Sequence, residues 1–192
     1  IKDIDENYQP SPQLEYSTGK YKSEQDFIKS KKNYVILRLG SVYGISHDSM
    51  RLNIMPNLFS KTAALDGEIK LHNGGKQLKS LVNVIDVARS MKFVGENNKI
   101  NQEIINCSNE ALTVKQVAEI CKKYNKELKI VSTKDKTPNS GYSLSNSKIK
   151  NFGFEFLYPI QDSIKQMTES WKKNKLELTN EIIEKGKDEF ID

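Results

Sequence analysis

The stretch Tyr16-Ser-Thr-Gly-Lys20, with the run Tyr34-Val-Ile-Leu-Arg-Leu39-Gly40 behind it, decides the fold. From Tyr16 to about Lys31 helix formers dominate, Gly19 is the one interruption, and Asn33 ends the segment. The next run is short, apolar and β-branched, and Gly40 stops it, which reads as a buried strand. A helix feeding directly into a buried strand is half of the repeating unit of a parallel α/β sheet.

Working outward, the same alternation continues. Residues 1–15 are polar, carry Pro10 and Pro12, and read as a loop. A loop over residues 44–51 precedes a helix over 53–65 with Pro56 near its first turn. Ile69-Lys-Leu71 is a short strand stopped by the turn signal Asn73-Gly-Gly75. Leu81-Val-Asn-Val-Ile85 is apolar, and Asp86 is placed to cap a helix over 87–94. Glu103-Ile-Ile-Asn-Cys107 reads as a strand. Thr113 caps a helix carrying Val114, Val117, Ile120 and Cys121 on one face. Residues 128–131 make a further strand, 137–141 a polar loop, 145–151 a short helix, and 160–173 a longer one with Trp171. Core candidates are Leu39, Val84, Val87, Ile104, Ile105, Val117, Ile120 and Trp171. No unit of strand, glycine-rich turn and helix occurs, so nothing in the sequence cradles a pyrophosphate.

Composition narrows the function. No apolar run approaches the roughly 18 residues of a membrane span, and the acidic start Ile1-Lys-Asp-Ile-Asp-Glu6 does not read as a signal peptide. A soluble, cytoplasmic protein is the expectation. The net charge is +5, but of 30 basic residues only Arg38, Arg51 and Arg89 are arginines, and the lysines are interleaved with acids. That pattern argues against a nucleic-acid surface, which clusters its charge and uses arginine forks. Cys107 and Cys121 lack the spacing of a disulfide framework, and His47 and His72 are too isolated for a metal site.

Tyr16 and Lys20 lie one helical turn apart, hence on one face. A tyrosine with a reference pKa near 10 is a poor base at neutral pH, and a neighbouring ammonium favours its phenolate. The spacing alone is common in surface helices. Its context is not. Pro10-Ser-Pro-Gln-Leu-Glu-Tyr16-Ser-Thr-Gly-Lys20-Tyr-Lys-Ser-Glu24 and Val35-Ile-Leu-Arg-Leu-Gly-Ser-Val-Tyr-Gly44 resemble the extended short-chain dehydrogenase/reductase family, the NAD-dependent sugar-nucleotide epimerases and dehydratases. That family reads P-x-x-x-Y-x-x-S-K-x-x-x-E and then R-x-x-N-V-Y-G. The resemblance continues through residues 74–88, 103–113 and 145–148.

The resemblance implies the C-terminal part of a Rossmann-type doubly wound sheet plus a smaller mixed α/β substrate-binding domain. Residues 1–48 would end the Rossmann-like domain, 49–178 would be mainly substrate-binding with a strand near 103–107 returning to the sheet, and 179–192 would be a terminal helix or linker. Tyr16 is implied as acid/base and Lys20 as the residue holding the nicotinamide ribose. Gly40, Ser41 and Val42 would lie beside nicotinamide and sugar, with Ser41 where many members have Asn. Asn53 and Lys79 would touch the substrate diphosphate, and Leu71 the nucleotide base. Lys79 replaces an arginine, keeping charge without the bidentate fork.

The family's upstream serine or threonine is expected to be missing, because only 15 residues precede Tyr16 and Ser11 lies too close. The implied cofactor is NAD, with NADP open. The implied partners are a nucleoside-diphosphate sugar, a second copy in a homodimer, and the N-terminal Rossmann half. Epimerase and dehydratase remain alternatives, as do a catalytically inactive fragment that only binds a sugar nucleotide or serves as a structural module, and one half of a two-chain enzyme.

Overall fold

The computed structural model describes residues 2–46, 50–135 and 141–173. Helix α1 (Glu15–Lys29) leads into strand β1 (Val35–Leu39), which pairs in parallel with β5 (Glu103–Cys107). The chain then passes through Gly40 and changes partner. Strand β2 (Ser41–Tyr43) runs parallel to β4 (Leu78–Asn83), and β6 (Glu110–Thr113) pairs antiparallel on the other side of β4. A third sheet joins β3 (Glu68–Leu71) in parallel to β7 (Lys129–Ser132). Helices α2 (Met55–Ala64), α3 (Val84–Glu96), α4 (Val114–Tyr124), α5 (Ser147–Asn151) and α6 (Ile160–Lys172) fill the connections.

The partner change at Gly40 has a steric cause. A Cβ there would sit 2.9 Å from the Ser80 carbonyl oxygen and 3.2 Å from Ser108 Oγ, so only glycine allows the strands this close. Strand period then divides the interior. Leu81 and Val82 are both fully buried but face opposite sides of β4. Leu81 joins a core with Tyr43, Phe59, Ile69, Ile164, Met167 and Trp171, built on α2, α4 and α6. Val82 joins a second core with Val87, Ile105, Cys107, Ile149 and Phe154, built on α3, α5, β1 and β5.

The strand–helix alternation read from the sequence is present, with several corrections. The strand at Leu81 starts earlier, at Leu78, and ends at Asn83. Asn83, not Asp86, caps α3, its side-chain oxygen accepting the Ile85 N–H at 2.8 Å. Asp86 is fully buried inside the helix instead. It accepts the backbone N–H groups of Leu157 (3.1 Å) and Tyr158 (3.0 Å) and pairs with Arg89, fastening the approach to α6 onto α3. Helix α2 begins at Met55 rather than Asn53. Strands β2 and β6 were not foreseen. Thr113 caps α4 as expected, in a capping box with Gln116.

Among the core candidates Val87, Ile105, Val117 and Trp171 are buried. Val84, Ile104 and Ile120 are half-buried, and Leu39, at the end of β1, is 37% exposed. No helix is long and apolar enough to cross a membrane among the described residues. His47, the loop read at 137–140 and the tail at 179–192 lie outside the described residues.

Candidate substrate cleft and catalytic helix

Helix α1 is amphipathic only in a weak sense. Ser17, Tyr21, Glu24, Gln25 and Ile28 share one half-buried face, and no residue of the helix is buried. The helix is instead held by charge. Arg38 on β1 donates from Nε (3.0 Å) and Nη2 (2.6 Å) to the two carboxylate oxygens of Glu24, and from Nη1 to the Glu6 carbonyl at 3.2 Å. Glu6 in turn accepts the Asn106 N–H of β5 at 2.8 Å. This bidentate fork keeps the Arg38 guanidinium charged, and Glu24, one turn beyond Lys20, anchors α1 at mid-length. Tyr16 stands clear of this face, 77% exposed, with Lys20 Nζ 5.6 Å from its ring centre. The predicted dyad is therefore assembled as a pair, on a surface.

The predicted substrate residues fall mostly elsewhere, in a cleft of about 420 Å³ between the start of α2, β3 and β4. Ser41, Asn53 and Lys79 all line it. A smaller cavity of about 90 Å³ adjoins through Ser41 and Lys79 and is bounded by Gly40 and Tyr142. The floor of the larger cleft is apolar, formed by Met55, Pro56, Phe59, Leu81 and Val114. Helix α2 opens on it with Ile54 at the cap, no side-chain cap, and Pro56 in its first turn. The loop before α2 is fixed by buried Asn57, which accepts the Gly44 N–H and donates to the Arg51 carbonyl, both at 3.0 Å.

Tyr16, Lys20, Gly40, Val42 and Leu71 do not line the larger cleft, and two of them pack into the cores. Leu71 is 1% exposed and packs in the core of α2, α4 and α6. Val42 packs against the other core, because alternation along β2 turns it opposite to Ser41. The same alternation brings in residues that the sequence reading missed. Ile69 and Leu71 point inward, so Lys70 points outward and lines the cleft with His72 and Gln77. The inward–outward period of a strand bounded by Gly67 and Asn73 was the available signal.

The cleft carries one sign of charge. Lys70, Lys79 and His72 line it, and no carboxylate of the described residues does. His72 Nδ1 lies 3.3 Å from Asp135 Oδ2 at the mouth. Hydrogen bonds from Thr133 and then His72 hold the Asp135 carboxyl below the usual carboxylate range. Away from the cleft, burial pushes the Glu110 carboxyl up, against the pull of the Ile160 N–H it accepts at 2.6 Å.

A sequence model described as the NAD dependent epimerase/dehydratase family matches residues 2–108. No match was found among curated proteins. Among solved structures, a UDP-glucose 4-epimerase from Thermotoga maritima crystallised with UDP-glucose is 21% identical. It covers 91% of this chain and 58% of its own, at a TM-score of 0.76. A dTDP-glucose 4,6-dehydratase from Bacillus anthracis in complex with NAD is 18% identical, covers 94% of this chain and 58% of its own, and has a TM-score of 0.76. A UDP-glucose 4-epimerase from Thermus thermophilus in complex with NAD is 19% identical, with 88% and 58% covered at 0.75. The chain thus spans 58% of the length of each of these structures, and at these identities the likeness is one of fold. With the family match covering more than half of its residues, this chain belongs to the NAD dependent epimerase/dehydratase family.

Proposed function

We propose that the chain provides the sugar-nucleotide cleft and the acid/base helix of an NAD-dependent enzyme that epimerises or dehydrates the sugar of a nucleoside diphosphate sugar, NADP remaining an alternative. The observation that carries this reading is the convergence of Ser41, Asn53 and Lys79, from three separate segments, on one cleft that no carboxylate lines among the described residues. An apolar floor for a base and sugar, with lysine ammonium groups for a diphosphate, matches the chemistry of such a ligand. In this reading Tyr16 takes a proton from a sugar hydroxyl, or returns it, and Lys20 holds the cofactor's ribose beside it. Ser41 orients the sugar, and Lys79 and Asn53 fix the diphosphate. Residues 1–48 and the strand at 103–107 form the cofactor side, and most of 49–178 the substrate side.

The fit to the dinucleotide is partial. The exposed Tyr16 hydroxyl and Lys20 ammonium suit a ribose, and Gly40 and Ser41 border the smaller cavity. No unit of strand, glycine turn and helix lies among the described residues to take a pyrophosphate. A bound nicotinamide would supply hydride acceptance and return, with Tyr16 and Lys20 the residues that would hold its ribose beside the sugar. The pyrophosphate is assigned to an N-terminal Rossmann half, and pairing of two copies is the expected assembly. The 192-residue chain is accordingly expected to bind the sugar nucleotide without turning it over. A binding module is the second reading, favoured by the observation that Tyr16 and Lys20 do not line the cleft.

Calorimetry of the chain with UDP-glucose and dTDP-glucose separates the roles. Lys79→Ala is expected to weaken binding about tenfold, as loss of a charge-assisted contact does, and Tyr16→Phe to leave it unchanged. Turnover by the purified chain alone would refute the division of labour. In the protein joined to its cofactor half, Tyr16→Phe should lower kcat by about 10²–10⁴. A near-normal kcat there would leave only the binding module.

A further inference from the structure

The smaller cavity beside the cleft is an annex of about 90 Å³, bounded by Gly40, Ser41, Lys79 and Tyr142. That is the space of about three waters in the liquid. Its walls are backbones at close approach. A Cβ on Gly40 would meet the Ser80 carbonyl oxygen at 2.9 Å, and Gly141, at a φ of +78°, is bridged to Leu78 of β4. The Ser80 hydroxyl accepts the Leu144 N–H at 2.8 Å and holds the segment after Gly141 against the strand. The annex is thus of fixed size, with room for a small substituent and none for a sugar ring. Lys79 and Ser41 line both spaces. The Lys79 ammonium makes no ion pair among the described residues, and no carboxylate of those residues lines the annex. We propose that the annex binds a carboxylate on C6 of the sugar, so that the preferred ligand is a nucleoside diphosphate uronic acid and not a neutral hexose. This rests on the sugar-nucleotide reading of the cleft.

The placement follows from the sugar ring. In a hexopyranose C6 is borne by C5, and only the ring oxygen separates C5 from the anomeric carbon that carries the diphosphate. With the diphosphate at Lys79 and Asn53 and the sugar at Ser41, the C6 substituent lies on the diphosphate side of the ring, where Ser41 and Lys79 border the annex. A lysine ammonium has three donors and no fixed fork, so one cation serves an oxygen of the diphosphate and an oxygen of the carboxylate together. The Ser41 hydroxyl donates to the second carboxylate oxygen. A neutral hydroxymethyl group in the same space makes ordinary hydrogen bonds only, whereas a carboxylate adds a charge-assisted contact of about twice the strength. Side-chain size at position 41 matters too. Serine leaves the annex open, and the longer asparagine amide at that position would extend into it.

The test is calorimetric titration of the 192-residue chain with UDP-glucuronate and UDP-glucose, which differ only at C6. UDP-glucuronate is expected to bind about tenfold tighter, the size of one charge-assisted contact. Lys79→Ala should weaken both ligands and bring their affinities within about twofold of each other. Ser41→Asn should also remove the preference, by filling the annex. That variant keeps the net charge of +5, so a preference set only by the general attraction of a basic chain for the more negative ligand would survive it. Ser41→Ala, which keeps the space and loses the hydroxyl, should leave a preference of about threefold. If UDP-glucose binds and UDP-glucuronate binds no tighter, or if the preference survives Lys79→Ala or Ser41→Asn, the carboxylate site is wrong while the sugar-nucleotide reading stands. If neither ligand binds the parent chain, the sugar-nucleotide reading fails and takes this inference with it.

Discussion

The helix bearing Tyr16 and Lys20 and the cleft bearing Ser41, Asn53 and Lys79 are held by different forces. The cleft stands on a continuous core in which Leu71, Leu81, Ile164 and Met167 are at most 1% exposed, so its walls are fixed by close packing. Helix α1 buries no residue and presents Tyr16 and Phe27 to solvent. Its fixed point is the Glu24–Arg38 fork, seated on β1 and tied to β5 through Glu6. The cleft is thus walled by this chain's packed core, whereas the helix carrying Tyr16 and Lys20, the proposed acid/base pair, depends on polar ties and shows an unpacked outer face.

The contrast can be broken most forcefully where the backbone is fastened by a buried charge. Asp86→Ala strands Arg89 and two backbone N–H groups, and is expected to cost about 3–5 kcal/mol in urea unfolding. A loss below about 1 kcal/mol would mean that the 155–158 segment is held by something else.

Arg38→Met leaves Glu24 without its partner, half-covered against β1, and should cost about 2–3 kcal/mol, less than a fully buried pair. Hydrogen exchange should show its effect concentrated in residues 15–29, with α4 and α6 changed only as far as global stability falls. Equal acceleration throughout would deny that α1 is held separately.

Glu110→Gln probes the boundary between β6 and α6, with a smaller effect and a defined pH sign. The folded state raises the Glu110 pKa, mainly by burial, so its ionised form opposes folding above that pKa. That cost is relieved as pH falls through the raised value towards the ordinary carboxylate pKa. The variant, which keeps an oxygen for the Ile160 N–H, is expected to melt higher than the parent at neutral pH, with the difference closing near about pH 4. A gap that widened with acid would reverse the assignment. Phe27→Ser on the outer face of α1 should change stability by no more than about 0.5 kcal/mol, and a larger loss would show that this face is packed after all.

Much of this was legible in the sequence because local chemistry and tertiary structure agree. The Tyr16–Lys20 helix, the run ending at Leu39, and Thr113 as a cap were each readable from spacing and capping rules. What escaped depends on neighbours distant in sequence. Asp86 looks like a cap until Leu157 and Tyr158 bring their N–H groups to it. The Gly40–Ser41 boundary divides one apparent strand in two only because Ser80 approaches the backbone there. On β3 a period of two places Leu71 in the core and Lys70 on the cleft, a distinction the sequence reading did not draw. Of the residues carried by family likeness, Ser41, Asn53 and Lys79 lie together on the cleft, and Val42 and Leu71 pack into the two cores.

The central claim is that the cleft between β3, β4 and α2 binds a nucleoside diphosphate sugar independently of α1. Backbone amide NMR of the chain during titration with UDP-glucose or dTDP-glucose tests it directly. Saturable shifts at Ser41, Asn53 to Met55, Lys70, His72 and Lys79, with residues 15–29 unmoved, are the predicted result. Shifts confined to α1, or no saturable change with either ligand, would contradict it.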